Sequence, residues 1–257
     1  MKTYIKDKLT TRAFVSRDEM GKAAAADISR CIRQMLEEKE EINMIFAAAP
    51  SQNDMLYYLV RDPEIPWNRI NAYHMDEYIG LSADAPQCFS NFLRTYIFDL
   101  CPFKSVNCLN SAAESMEAEC DRYAKLLRDN PVDIVCMGIG ENGHIAFNDP
   151  HVADFQDPKL VKIVSLDEVC RTQQVHDGCF ASLELVPKYA MTLTVPALMA
   201  AKHVFCVVPA PTKANAVKRT VSGSISEECP ATIMRNKDGA IMYCDMDSSS
   251  LIADLMQ

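Results

Sequence analysis

The sequence predicts an α/β fold: an open, mostly parallel, Rossmann-like twisted sheet with helices on both faces. Three observations carry this expectation. The runs Ile42–Ala49, Ile134–Met137 and His203–Val208 are short and almost wholly apolar, the pattern of strands buried on both sides rather than one. Helical spacing alternates with such runs along the whole chain, which points to parallel strands joined by crossover helices. No repeat, low-complexity tract or linker interrupts the alternation, so residues 1–257 are expected to form one domain.

The elements follow in order. Ser16-Arg-Asp-Glu19 has a capping-box pattern and opens a helix whose apolar positions are Met20, Ala23, Ala24, Ile28, Ile32, Met35 and Leu36. Glu37 to Glu41 is its solvated end. The strand from Ile42 is stopped by Pro50, and Ser51-Gln-Asn-Asp begins a helix carrying Met55, Leu56 and Leu59. After a turn at Pro63–Pro66, Arg69–His74 reads as a strand, followed by Asp76 and Glu77. Pro86–Leu100 reads as a helix with Phe89, Phe92, Leu93 and Ile97 on its core side. Ser111-Ala-Ala-Glu114 is a second capping box, opening a helix through Met116, Tyr123 and Leu127.

The strand Ile134–Met137 then breaks into Gly138-Ile-Gly-Glu-Asn-Gly-His-Ile-Ala-Phe-Asn-Asp-Pro150. Leu160–Val164 is a short strand, Asp167–Val175 a helix, Tyr189–Val195 a strand, and a short helix begins at Pro196. His203–Val208 ends at Pro209-Ala-Pro211, and Thr212-Lys213 opens a helix through Val217. Cys229–Met234 reads as a short helix, Ala240–Cys244 as the last strand and Asp247–Met256 as a terminal helix.

A net charge of −9 argues against a general nucleic-acid or membrane-surface binder. Eleven cysteines, an odd number without a CxxC pair, sit mostly in apolar runs and read as reduced thiols. The first residues lack an apolar signal core, and no run approaches a membrane-spanning length. A cytoplasmic protein is expected.

Ligands of open α/β sheets bind beyond the carboxyl ends of the strands. Four strand ends carry polar or special residues: Ala49–Gln52, His74–Glu77, Gly138–Asp149 and Pro209–Lys213. In a parallel sheet all four share one edge. One pocket there would gather Asp76, Glu77, Glu141, Asp149, the imidazole of His144 and the ammonium of Lys213 beside a helix start that favours an anion. Three glycines between 138 and 143 indicate unusual backbone or a close approach. Gly138 to Gly143 matches a dinucleotide fingerprint by letter, but Pro150 prevents a long helix after it, so NAD is not expected. No His/carboxylate pair has metal-ligand spacing, and no metal or cofactor is expected.

These residues resemble the glucosamine-6-phosphate deaminase/isomerase family, which is related to the 6-phosphogluconolactonases. The resemblance rests on Asn71–Leu81, Gly138–Pro150 and Val186–Thr194, with the stretch through Lys213 and 240–250 also similar. It implies cofactor-free isomerisation of an aldose 6-phosphate to a ketose 6-phosphate with loss of the C2 amine. It makes Asp76 the base between C2 and C1, His144 the group opening the sugar ring, Asp149 its orienting carboxylate and Lys213 a phosphate contact. Asn142 stands in the relay to His144, while Ser51, Glu77 and Gly143 belong to the substrate-binding set.

The chain departs from the family at four points. Asn142 replaces an aspartate, and Asp149 replaces a glutamate, shortening its reach to His144 and calling for backbone adjustment. Ala47–Asn53 replaces a Gly-rich phosphate loop. Gln173 and Gln174 stand where an arginine is expected, with Arg171 nearby. The partner expected is a small sugar phosphate, and a homo-oligomer is allowed. Competing readings are a lactone hydrolase using His144 without Asp76, an isomerase of another sugar, and a sugar-phosphate sensor, which the acidic charge disfavours.

Overall fold

The computed structural model describes residues 1–256. Its strands are β1 (Lys2–Lys6), β2 (Leu9–Ala13), β3 (Ile42–Phe46), β4 (Ile70–His74), β5 (Asp76–Tyr78), β6 (Ser105–Asn107), β7 (Ile134–Met137), β8 (Val161–Ser165), β9 (Tyr189–Leu193), β10 (His203–Val208) and β11 (Ala240–Cys244). The α-helices are α1 (Arg17–Glu38), α2 (Asn53–Val60), α3 (Phe89–Leu93), α4 (Met116–Asp129), α5 (Glu168–His176), α6 (Val195–Met199) and α7 (Ala214–Ser222).

Eight strands form one sheet in the order β1-β2-β11-β10-β7-β3-β4-β6, parallel throughout except for the β1–β2 pair. Both faces are covered, as expected. Met44, Phe46, Cys136 and Phe205 pack with Met20, Ile28 and Ile32 of α1 and Met55 and Leu59 of α2. The alternate residues Ile45, Val135, Val204 and Cys206 pack with Tyr123 of α4, Leu198 of α6 and Val217 of α7. This alternation on doubly buried strands explains the continuous apolar runs. The chain runs outward from β3 through β4 to β6, and from β7 through β10 to β11 in the other direction. The order therefore reverses between β3 and β7, and that reversal opens a crevice at their carboxyl ends.

The structure corrects several elements. The first 13 residues form a hairpin with five paired positions at the sheet edge, held by backbone pairing rather than by an apolar pattern. Asp76 and Glu77 lie within β5, the edge of a small antiparallel sheet ordered β5-β9-β8. The second cap is Ser115, whose hydroxyl accepts from the amide of Ala118, so Ser111–Glu114 is a turn. The segment after Pro86 is helical only from Phe89, and a π turn follows at Arg94–Phe98. The helices expected at Cys229 and Asp247 are 3-10 turns, Pro230–Asn236 and Ser250–Leu255.

Candidate active site

One cavity sits over the switch between β3 and β7, and all four strand ends reach it. Its wall includes Ala49–Ser51 after β3, Asp76 after β4, Gly138, Gly140 and His144 after β7, and Pro209, Ala210 and Lys213 after β10. Two backbone features shape it. Ala210 adopts a φ of 84°, with its amide held by the Asp245 carboxylate at 3.0 Å. Ala146 adopts a φ of 49° in the turn closed by the Asn148 amide on the Ile145 carbonyl. Both are positive-φ conformations that an alanine enters only when its surroundings impose them.

The turn at Ala146 resolves the short reach of Asp149. It folds the chain back so that Asp149 Oδ1 lies 2.9 Å from His144 Nδ1. Asn142 completes the triangle. Its Oδ1 accepts from the His144 backbone amide at 2.9 Å and lies 2.8 Å from Nδ1, while its Nδ2 donates to Asp149 Oδ1 at 2.8 Å. Both neighbours of Nδ1 are acceptors, so Nδ1 carries the proton. In the neutral imidazole, Nε2, which has no partner among the described residues, is then the unprotonated nitrogen of a ring that lines the cavity. Gly140 is required here because a Cβ would come 2.1 Å from His144 Cε1.

Burial raises the Asp149 carboxyl, but the charge of His144 and hydrogen bonds from His144, Asn142 and Cys170 outweigh it and hold the group below its ordinary value. Asp76 is the opposite case. Burial, with the charge of Glu77 adding to it, pushes its carboxyl well above the usual range. Burial lowers the ammonium of Lys213, partly opposed by Asp177 and Glu141. His74 is held neutral and pushed down to about 3 by burial, and its Nε2 accepts from the amide of Leu109 at 2.8 Å. That ring is structural.

Of the nine residues singled out in the sequence, Ser51, Asp76, His144 and Lys213 are on the cavity wall and Glu141 is not. Asn142 and Asp149 stand behind His144. Glu77 and Gly143, expected in the substrate-binding set, do not line this wall. Glu77 is fully buried, and its carboxylate accepts from the amides of Tyr78, Phe89 and Ser90 at 2.9–3.0 Å, capping the start of α3. Gly143 has a φ of 89°, and a Cβ there would meet Cys229 Sγ at 2.4 Å. Arg171 also turns away, donating to the carbonyls of Leu183 and Val186.

Three wall residues escaped the sequence reading: Arg17, Asp177 and Cys179. The one available signal for Arg17 was Gly21, a glycine inside a helix, which marks a close approach. Gln174 lines the cavity where the arginine was expected. Gln173 accepts from the Glu141 amide at 2.9 Å. Among the described residues, one cluster offers three metal-ligand atoms within 4.8 Å, those of His144, Asp149 and Cys170. The imidazole and carboxylate of that cluster are hydrogen-bonded to each other.

A family model described as glucosamine-6-phosphate isomerases/6-phosphogluconolactonase matches residues 15–243. A glucosamine-6-phosphate deaminase of Bacillus cereus (strain B4264) is 34% identical over 225 residues, 88% of this chain and 84% of its own. A counterpart from Bacillus thuringiensis (strain Al Hakam) is 33% identical over the same shares. The solved structure of a monomeric glucosamine-6-phosphate deaminase superposes with a TM-score of 0.85 at 27% identity, covering 94% of this chain and 99% of that one. A 6-phosphogluconolactonase from Thermotoga maritima shares the fold, with a TM-score of 0.75 at 20% identity over 91% and 99% of the two chains.

Proposed function

The chain belongs to the family of glucosamine-6-phosphate isomerases and 6-phosphogluconolactonases, and from that premise we propose that it converts glucosamine 6-phosphate and water to fructose 6-phosphate and ammonia. The carrying observation is that Asp76, buried beside Glu77, and His144, whose Nε2 has no partner among the described residues, share one cavity wall with Lys213.

The residues supply the chemistry as follows. His144 Nε2 takes the proton of the anomeric hydroxyl and returns it to the ring oxygen, opening the sugar to its aldehyde. The imidazolium formed in between is stabilised by Asp149 and oriented by Asn142. The Asp76 carboxylate removes the proton at C2 and delivers it to C1 while a proton passes from the amine to the C1 oxygen, so the aldehyde becomes a hydroxymethyl group and nitrogen is left double-bonded to C2. Water adds at C2, the C–N bond breaks and ammonia leaves. A carboxylate held above its ordinary pKa is a stronger base for this transfer. Lys213 and the hydroxyl of Ser51 receive the phosphate.

Every group named comes from one chain. No helix among the described residues is long and apolar enough to cross a membrane. All eleven cysteines are unpaired, which favours a reducing, cytoplasmic setting.

The test is ammonia release from glucosamine 6-phosphate by the wild type and by Asp76→Asn. Ammonia from the wild type and a loss of at least about 10³-fold in the variant is expected, a typical scale for removing a positioned base. Folded wild-type protein that releases no ammonia but hydrolyses 6-phosphogluconolactone, with Asp76→Asn retaining that hydrolysis, would replace this reading with the lactonase one.

A further inference from the structure

Arg17 has no role in the reaction just described, yet it forms part of the cavity wall. It is the first residue of α1, directly after the cap Ser16, and is half-buried. Its Nε donates to the Asp54 carboxylate and its Nη2 to the carbonyl of Pro50. Nη1 has no partner among the described residues. The guanidinium therefore rests on the Pro50–Gln52 turn that carries Ser51.

Backbone packing sets this position. Gly21, one helical turn on, touches α2 so closely that a Cβ would lie 2.5 Å from Asp54 Cβ and 2.8 Å from the Asp54 carbonyl carbon. Only glycine lets the first turn of α1 come down onto the start of α2, bringing Arg17 within reach of Pro50.

The turn itself is a poor anion cradle. Pro50 has no amide hydrogen, and Gln52 directs its amide nitrogen to Ser51 Oγ and the Val207 carbonyl. Carboxylates of Asp76 and Asp177 stand elsewhere on the wall. A phosphate therefore needs more positive charge than Lys213 supplies, and a guanidinium fork with a free nitrogen suits it.

We propose that Arg17 is a second phosphate-binding cation, acting with Lys213 and Ser51 of the same wall, so that this chain holds its substrate's phosphate by side-chain charge rather than by loop amides. The inference rests on the sugar-phosphate reading above.

The experiment measures inorganic phosphate binding by calorimetry at constant ionic strength for wild type, Arg17→Gln and Asp54→Asn, alongside kinetics with glucosamine 6-phosphate. Arg17→Gln should weaken phosphate about tenfold and raise KM similarly with kcat nearly unchanged, about the loss expected for one charge-assisted contact. Asp54→Asn, which removes the helix tie but leaves the cation, should bind phosphate at least as well as wild type. Arg17→Lys keeps charge without the fork and should lose several-fold, which serves if Arg17→Gln fails to fold. Wild-type affinity in both Arg17 variants, an equal loss in Asp54→Asn, or no phosphate binding by the wild type overturns the proposal. Ammonia release with unchanged phosphate affinity in the Arg17 variants sinks this inference alone. Weakened phosphate binding in those variants without any ammonia from wild type sinks the deaminase reading alone.

Discussion

At the scale of residues, Asp76 and Asp149 are two buried aspartates with opposite energetics. The folded-state pKa of Asp76 is raised by burial and by Glu77. The stability it permits is full below the unfolded value near 3.9 and is lost as pH rises through the higher folded value, so at neutral pH this buried carboxyl costs the fold stability. Asp149 has a lowered folded pKa: burial opposes the charge, but His144 and three hydrogen bonds prevail. Its contribution is present above the unfolded value and is lost as pH falls through the folded one. At pH 7, Asp76→Asn should therefore raise the melting temperature and Asp149→Asn should lower it, by about 2–4 °C for each kcal/mol, while both lose activity. Thermal denaturation from pH 4 to 8 checks this, and equal shifts of the same sign would remove the assigned electrostatics. The identity of these carboxylates was legible in the sequence. Their opposite environments were not, since burial and hydrogen-bond partners are set by residues far along the chain.

At the scale of elements, Glu77 shows how a residue beside the chemistry can serve the scaffold. The adjacent pair Asp76-Glu77 suggested two carboxylates in one pocket. Within a strand, successive side chains point to opposite faces, so β5 gives Asp76 to the cavity and sends Glu77 to the start of α3. There it accepts from the amides of Phe89 and Ser90 at 2.9 Å, and from that of Tyr78 beside it in β5 at 3.0 Å, donors that would otherwise be unpaired. Glu77→Ala should cost about 1–3 kcal/mol or more through those orphaned donors, with KM little changed in the protein that remains folded. Urea denaturation with parallel kinetics separates the two effects, and a raised KM with unchanged stability would restore Glu77 to the substrate site. β5 is not legible in the sequence because three residues are too few to show a period, and because their sheet is completed by β9, more than a hundred residues later.

At the scale of the whole molecule, the doubly covered sheet determines which thiols are accessible. Cys108 and Cys179 are half-buried and the other nine cysteines are buried. Burial pushes both half-buried thiols up to about 11, so their reaction at neutral pH should be slow but should precede that of the rest. Thiol titration of the native protein should show about two reacting groups before unfolding exposes all eleven. Glucosamine 6-phosphate should slow one of them, because Cys179 lines the cavity. Many more than two native thiols, or no protection by ligand, would contradict the packing or the placement of the substrate.

The sequence by itself determined the strand–helix alternation, the strand ends that carry chemistry, and His144, Asp76 and Lys213 as the groups to watch. These depend on local physics: apolar periodicity, glycine backbone freedom, and side chains able to move protons or hold an anion. Tertiary structure alone decided the rest. Strand order put the switch between β3 and β7 and so made one cavity of four loops. The left-handed turn at Ala146 let the shorter Asp149 reach His144. Packing at Gly21 carried Arg17 to the cavity, while strand alternation removed Glu77 from it. Each of these depends on contacts between segments distant in the chain, and periodicity within a segment carries no information about which distant segment it will meet.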